Sequence, residues 1–160
     1  MLKEALLGIT VTFSSPADHM CLAKNIYFEA RNQSIAGMIA VSHVVLNRVK
    51  HDRFPNTICE VVKQGPTSRW WREEKGKEVP IRNKCQFSWF CDGLSDAPKE
   101  RAAWERAWQV ASDANTLHFF GHDTSDGSMW YHAKNVKPYW RSDFDYVGQI
   151  DDHLFYRSKK

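Results

Sequence analysis

Apolar residues recur at helical spacing through the first two thirds of this chain and fall into short, strand-like runs in the last third. That single change of period constrains the fold most. Helices first and strands last, without strand–helix–strand alternation, specify an α+β domain, not a parallel α/β sheet. Asp18 reads as the N-cap of a helix reaching about Ala30, and Ser34 as the cap of a second, from about Ile35 to Lys50. In the second, Ile35, Met38, Ile39, Val45, Leu46 and Val49 make the apolar stripe. Phe54-Pro55-Asn56 ends it, and a short helix follows from about Thr57 to Gln64. Residues 65–80 read as a long charged loop carrying Trp70 and Trp71, and residues 81–92 show no clear period. Ser95 or Asp96, with Pro98, opens a third clear helix to about Thr116, with Trp104, Ala107, Trp108 and Ala111 as its inner stripe. After a turn-rich stretch, 121–128, the segments Met129–Ala133, Val136–Trp140, Tyr146–Ile150 and His153–Arg157 read as strands. Asp151-Asp152 is the hairpin turn between the last two.

A chain of 160 residues suits one domain and buries enough surface to fold without a metal or a disulfide. Residues 1–17 read as a lead-in with a weak likeness to a signal segment, and 18–160 as one domain. No apolar run approaches the roughly 18 residues of a membrane span. The net charge of +3 and the lack of like-charge blocks give no nucleic-acid signature. Seven tryptophans offer faces on which sugar rings stack. The spacing of Cys21, Cys59, Cys85 and Cys91 does not fit a zinc site. Cys85 and Cys91 can close a small loop, which leaves Cys21 with Cys59; four reduced thiols are the alternative.

One carboxylate is oddly placed. On the first helix Leu22, Ile26 and Glu29 fall on one stripe, so Glu29 shares the apolar face near the helix C-terminus. Burial and the helix dipole both disfavour an anion there and raise a carboxyl pKa. A carboxylic acid that keeps its proton near neutral pH is what glycosidic cleavage needs as general acid. On spacing alone, a frayed helix end with Glu29 paired to Arg31 or Lys24 is the plainer reading.

Longer motifs change that balance. The segments Cys21-Leu-Ala-Lys-Asn-Ile-Tyr-Phe-Glu-Ala-Arg-Asn32, Gly37-Met-Ile-Ala-Val-Ser-His-Val-Val-Leu-Asn-Arg-Val49, Phe54-Pro-Asn-Thr-Ile58, Cys85-Gln-Phe-Ser-Trp89 and Trp130-Tyr-His-Ala133 occur in that order. Val136-Lys-Pro-Tyr-Trp140 and the stretch from Val147 to Tyr156 complete the set. Together they resemble the cell wall hydrolase family of spore cortex-lytic enzymes, which also has phage and prophage members. The resemblance implies a lysozyme-like, lytic-transglycosylase-related helical core with a small C-terminal antiparallel sheet. It implies cleavage of the β-1,4 bond between N-acetylmuramic acid and N-acetylglucosamine, with Glu29 as the catalytic residue and 1,6-anhydromuramic products.

That chemistry accounts for the lack of a second convincing carboxylate, since Asp123 and Asp126 fall in the turn-rich stretch and Asp92 beside a cysteine. In a transglycosylation the sugar's own 6-hydroxyl attacks, and one Glu serves as acid and then as base. Gln86 and Ser88 are expected to hydrogen-bond sugar groups, and Phe87 to shape the groove with Trp89, one of the two being core. Tyr131 and His132 alternate on a strand, so at most one faces the cleft; Tyr131 is preferred, to hold a sugar or orient Glu29. Trp140 completes the expected substrate-binding set. No cofactor or metal is expected. The expected partner is the peptidoglycan glycan strand, met at the bacterial wall by a monomer, delivered as a phage lysin or on a virion, with a bacterial wall-remodelling enzyme as the other origin. A hydrolytic muramidase using the same Glu is the near alternative. A zinc amidase or peptidase built on His118, His122, His132 and His153, or a non-catalytic wall-binding virion protein, are the rivals of other classes.

Overall fold

The computed structural model describes residues 9–160, and the first half of the lead-in lies outside them. Among the described residues, five α-helices precede a three-stranded sheet: α1 Pro16–Ala30, α2 Ile35–Val49, α3 Ile58–Val62, α4 Arg69–Lys75, α5 Arg101–Phe119, then β1 Trp130–Ala133, β2 Asp145–Ile150 and β3 His153–Arg157. The architecture is α+β, as the order of periods predicts.

Helix α2 is the central element. Val41, Val44 and Val45 are fully buried, and α1, α3 and α5 pack around it. Its cap is the expected one: the Ser34 hydroxyl accepts from the Gly37 amide at 3.1 Å. The cap of α1 is not. Ser15 accepts from the Asp18 amide at 3.2 Å, with Pro16 in the first turn. The Asp18 carboxylate instead accepts from the Cys59 amide at 3.0 Å and ties α1 to α3. Helix α5 starts at Arg101, several residues later than expected. The amides of Lys99 and Glu100 donate to the Tyr27 hydroxyl at 3.1 and 3.0 Å, so a side chain from another helix meets the donors at its entry. Its inner face is Ala107, Val110, Ala111 and Ala114; Trp108 stands exposed, stacked on His19 at 3.7 Å.

Two expectations fail in secondary structure. The charged stretch 65–80 contains α4, which buries no residue and so carries no apolar stripe to read. It ends at Gly76 in the left-handed region, a conformation that costs glycine little. Val136–Trp140 is not a strand: Pro138 has no N–H to give a ladder, and Tyr139–Asp143 forms a 3-10 turn. The sheet is therefore three-stranded, antiparallel, in the order β1-β3-β2.

Sheet and helices are pinned at one corner. The Ser34 amide and hydroxyl donate to Asp151 at 2.9 and 2.6 Å, so the β2–β3 hairpin sits on the α1–α2 turn. Gly37 permits this approach, since a Cβ there would come within 2.5 Å of the Asp151 carboxylate. Both disulfides form. Cys21–Cys59 joins α1 to α3, and Cys85–Cys91 closes the loop that runs into a 3-10 turn at Ser88–Cys91.

Candidate active site

Glu29 sits one residue from the end of α1, on the stripe of the fully buried Leu22 and Ile26. Its side chain is half-buried and points to the sheet. The Tyr131 hydroxyl, from β1, donates to Glu29 Oε2 at 3.0 Å. Burial raises the Glu29 pKa above the ordinary carboxyl value. The Tyr131 hydrogen bond and the charge of Arg48 pull it back part of the way. The Tyr131 phenol is pushed well up, by burial first and then by the neighbouring Glu29, so it stays a proton donor.

Register explains which strand residues reach the carboxyl. Tyr131 pairs with Phe155, and both face the helices. His132 and Tyr156 point the other way, where the His132 Nε2 and the Tyr156 hydroxyl lie 2.9 Å apart and Trp140 packs on both rings at 5.6 Å. Tyr131 is thus brought to Glu29, and His132 and Trp140 are not. His153, behind the Tyr131 ring at 5.0 Å, has its pKa lowered by burial.

The loop 85–91 is strapped over α1. The indole of Trp89 donates to Asn25 Oδ1 at 2.9 Å and its ring stacks on Phe28 at 4.9 Å. The Gln86 amide donates to the Gln64 carbonyl at 2.9 Å. Phe87 and Trp89 are both buried, where one was expected to be, while Gln86 and Ser88 are exposed and free to meet a ligand. Phe87 lies 6.4 Å from Tyr131, so this loop borders the carboxyl side.

Arg48 was not singled out beforehand. It is 5 % exposed, and its guanidinium lies over the rings of Phe54 and Phe87 at 5.0 and 5.4 Å. Its Nε donates to the Met129 carbonyl at 2.7 Å, just before β1. Burial lowers its pKa to about 10, which leaves it charged at neutral pH. The signal was available: an arginine on the buried face of a valine-rich helix is as anomalous as Glu29 on its own.

The other acidic candidates have partners elsewhere. Asp123 accepts from Asn47 at 2.8 Å and from Ser125 and Gly127, which orders the turn before β1. Asp126 pairs with Arg157 at 2.7 Å, and Asp92 accepts from the Leu94 amide at 2.8 Å. The histidines of the zinc alternative do not converge. His118 binds Asn47 at 2.7 Å, His132 and His153 lie in the sheet, and His122 is exposed. Among the described residues no group of three or more His, Cys, Asp or Glu side chains is placed to hold a metal ion.

A helical core closed by a small sheet over a half-buried carboxyl defines the class, and comparison assigns it. Residues 32–156 match the model of the Cell Wall Hydrolase family, and the chain belongs to that family. The matched stretch starts just after Glu29. Two solved structures share the fold. The catalytic domain of the germination-specific lytic transglycosylase SleB from Bacillus anthracis superposes with a TM-score of 0.64 at 24% identity, over 89% of this chain and 96% of that one. The catalytic domain of the Bacillus cereus SleB protein gives 0.58 at 22% identity, over 89% and 91%. No curated protein sequence gives a significant match.

Proposed function

We propose that this protein cleaves the β-1,4 bond between N-acetylmuramic acid and N-acetylglucosamine in peptidoglycan as a lytic transglycosylase, with Glu29 as acid and then base. The observation that carries the reading is the solitary carboxyl. Tyr131 and Arg48 act on Glu29, and the other acidic candidates, Asp92, Asp123 and Asp126, are held by partners elsewhere. A hydrolase of the two-carboxylate type needs one within about 5–10 Å, as nucleophile or as base for water. The SleB likeness and the family membership agree with wall-glycan chemistry.

Protonated Glu29 gives its proton to the bridging oxygen as the bond from C1 of the muramic residue breaks. The resulting carboxylate takes the proton of that residue's 6-hydroxyl, whose oxygen closes on C1. The product is a 1,6-anhydro ring, and Glu29 ends protonated, as it began. Tyr131 holds the carboxyl in place through both steps. Gln86 and Ser88 hydrogen-bond the strand at the exposed edge of the 85–91 loop. The protein acts at the bacterial wall on glycan strands.

Mass spectrometry of digested peptidoglycan tests this. Anhydromuramic ends that disappear with Glu29→Gln are expected. Reducing muramic ends would mean hydrolysis and would refute the solitary-carboxyl argument. Released stem peptides, with activity lost in EDTA, would identify an amidase instead.

A further inference from the structure

We infer that Arg48 is a positioning residue for this reaction: its buried cation is the counter-charge that stabilises Glu29 once that side chain has given up its proton. The inference rests on the reading of Glu29 as acid and base, and extends it to a residue on a different helix.

A guanidinium is costly to bury unless its donors are matched. Arg48 spends its Nε on the Met129 carbonyl, and that bond alone would pin α2 to the start of β1. Two aromatic faces supply further favourable contact. A purely structural pin would have its remaining donors satisfied as well. Instead Nη1 is buried with no hydrogen-bond partner among the described residues. Its guanidinium lies over the Phe87 ring at 5.4 Å, Phe87 stands 6.4 Å from Tyr131, and Tyr131 holds Glu29 at 3.0 Å, so the charge belongs to the layer of side chains around the carboxyl and acts on both Glu29 and Tyr131.

The chemistry supplies a reason. A residue that is acid in one step and base in the next must be able to exist in both forms at one pH. Burial favours the acid form only; the Tyr131 hydrogen bond is the larger pull toward the carboxylate, and the Arg48 charge adds to it. A fixed positive charge in a site of low polarity stabilises the carboxylate much more than it would in water. Arg48 is the cation so placed. Tyr131 faces Glu29 from β1, and Phe87 of the 85–91 loop brings no ionisable group. His153 from β3 is held off its charged form by burial. On α1 itself, Arg31 is paired with Glu100 at 3.3 Å.

The test is a ¹³C NMR titration of the Glu29 carboxyl, assigned with Glu29→Gln, in the unmutated protein and in Arg48→Met and Arg48→Lys. The midpoint in Arg48→Met should rise by about one pH unit. Arg48→Lys, which keeps the charge but loses the Nε bond and the flat stacking, should stay near the unmutated value. In the pH–rate profile the alkaline limb should move the same way, with activity reduced in Arg48→Met and partly kept in Arg48→Lys. An unchanged midpoint in folded Arg48→Met overturns the inference. If that variant does not fold, Arg48→Lys decides: a shifted midpoint, or no fold, marks Arg48 as structural only. Glu29→Gln with full activity would sink the catalytic reading while leaving the titration result intact.

Discussion

The two disulfides close loops of very different length, and that difference fixes an order of stability. Cys21–Cys59 spans 38 residues and Cys85–Cys91 spans 6. In the chain-entropy treatment the first restricts the unfolded chain by about 4 kcal/mol and the second by about 2 kcal/mol. For a domain of this size 1 kcal/mol moves the melting temperature by roughly 2–4 °C. Cys21→Ala/Cys59→Ala should therefore melt roughly 8–16 °C below the unmutated protein, and Cys85→Ala/Cys91→Ala roughly 4–8 °C below. The functional order should be the reverse. Cys21–Cys59 joins the first half of α1 to α3, two turns before Glu29, whereas Cys85–Cys91 braces the loop that presents Gln86 and Ser88. Circular dichroism melts and wall-lysis rates on each pair, with thiol titration to verify the remaining bridge, give both readings. Equal melting temperatures for the two variants, or a short-loop variant that melts lower, would refute the entropic argument. Full lysis by Cys85→Ala/Cys91→Ala would refute the role given to the loop.

Glu29 has a folded-state pKa above its unfolded value, so the unmutated fold loses stability as pH rises from about 4.3 through the folded value. The melting-temperature gap between Glu29→Gln and the unmutated protein should thus widen in favour of Gln between pH 4 and pH 8; a constant gap would contradict the burial argument. Tyr131→Phe removes the donor to a carboxylate and should lower kcat/KM about ten- to hundredfold, with the alkaline limb of the pH–rate profile moving up. Trp89→Phe leaves Asn25 Oδ1 without its donor in a fully buried position and should cost about 1–3 kcal/mol in denaturant melts. Trp108→Phe, on an exposed ring, should change stability by less than about 0.5 kcal/mol.

The legible parts of this chain are those governed by local spacing. Helix α2, its Ser34 cap, the Asp151-Asp152 hairpin and the split between Tyr131 and His132 follow from period and alternation. What local spacing does not carry is any structure set by a distant partner. Helix α5 begins late because the Tyr27 hydroxyl meets its entry amides, and Asp18 is drawn from capping to the Cys59 amide. Helix α4 escaped because a helix with no buried face has no hydrophobic signature. Trp140 is expected in the groove, but the 3-10 turn at Tyr139–Asp143 packs it against His132 and Tyr156, on the face of the sheet away from Tyr131. Arg48 is visible as a charge on a buried face, yet only the fold sets it on Met129 and Phe87, beside the Tyr131 that holds Glu29.

Glu29 and the hydroxyl that holds it are 102 residues apart in the chain. During synthesis all five helices, their valine core and all four cysteines emerge before β1 does. A nascent chain that stops in the 121–128 turn has Glu29 but no Tyr131 to hold it, and Arg48 has no Met129 carbonyl to grip. Such long-range closure comes late and slowly in folding. The Glu29–Tyr131 pair thus forms only after the helices and all four cysteines have emerged, and a chain interrupted before β1 leaves a helical fragment without it.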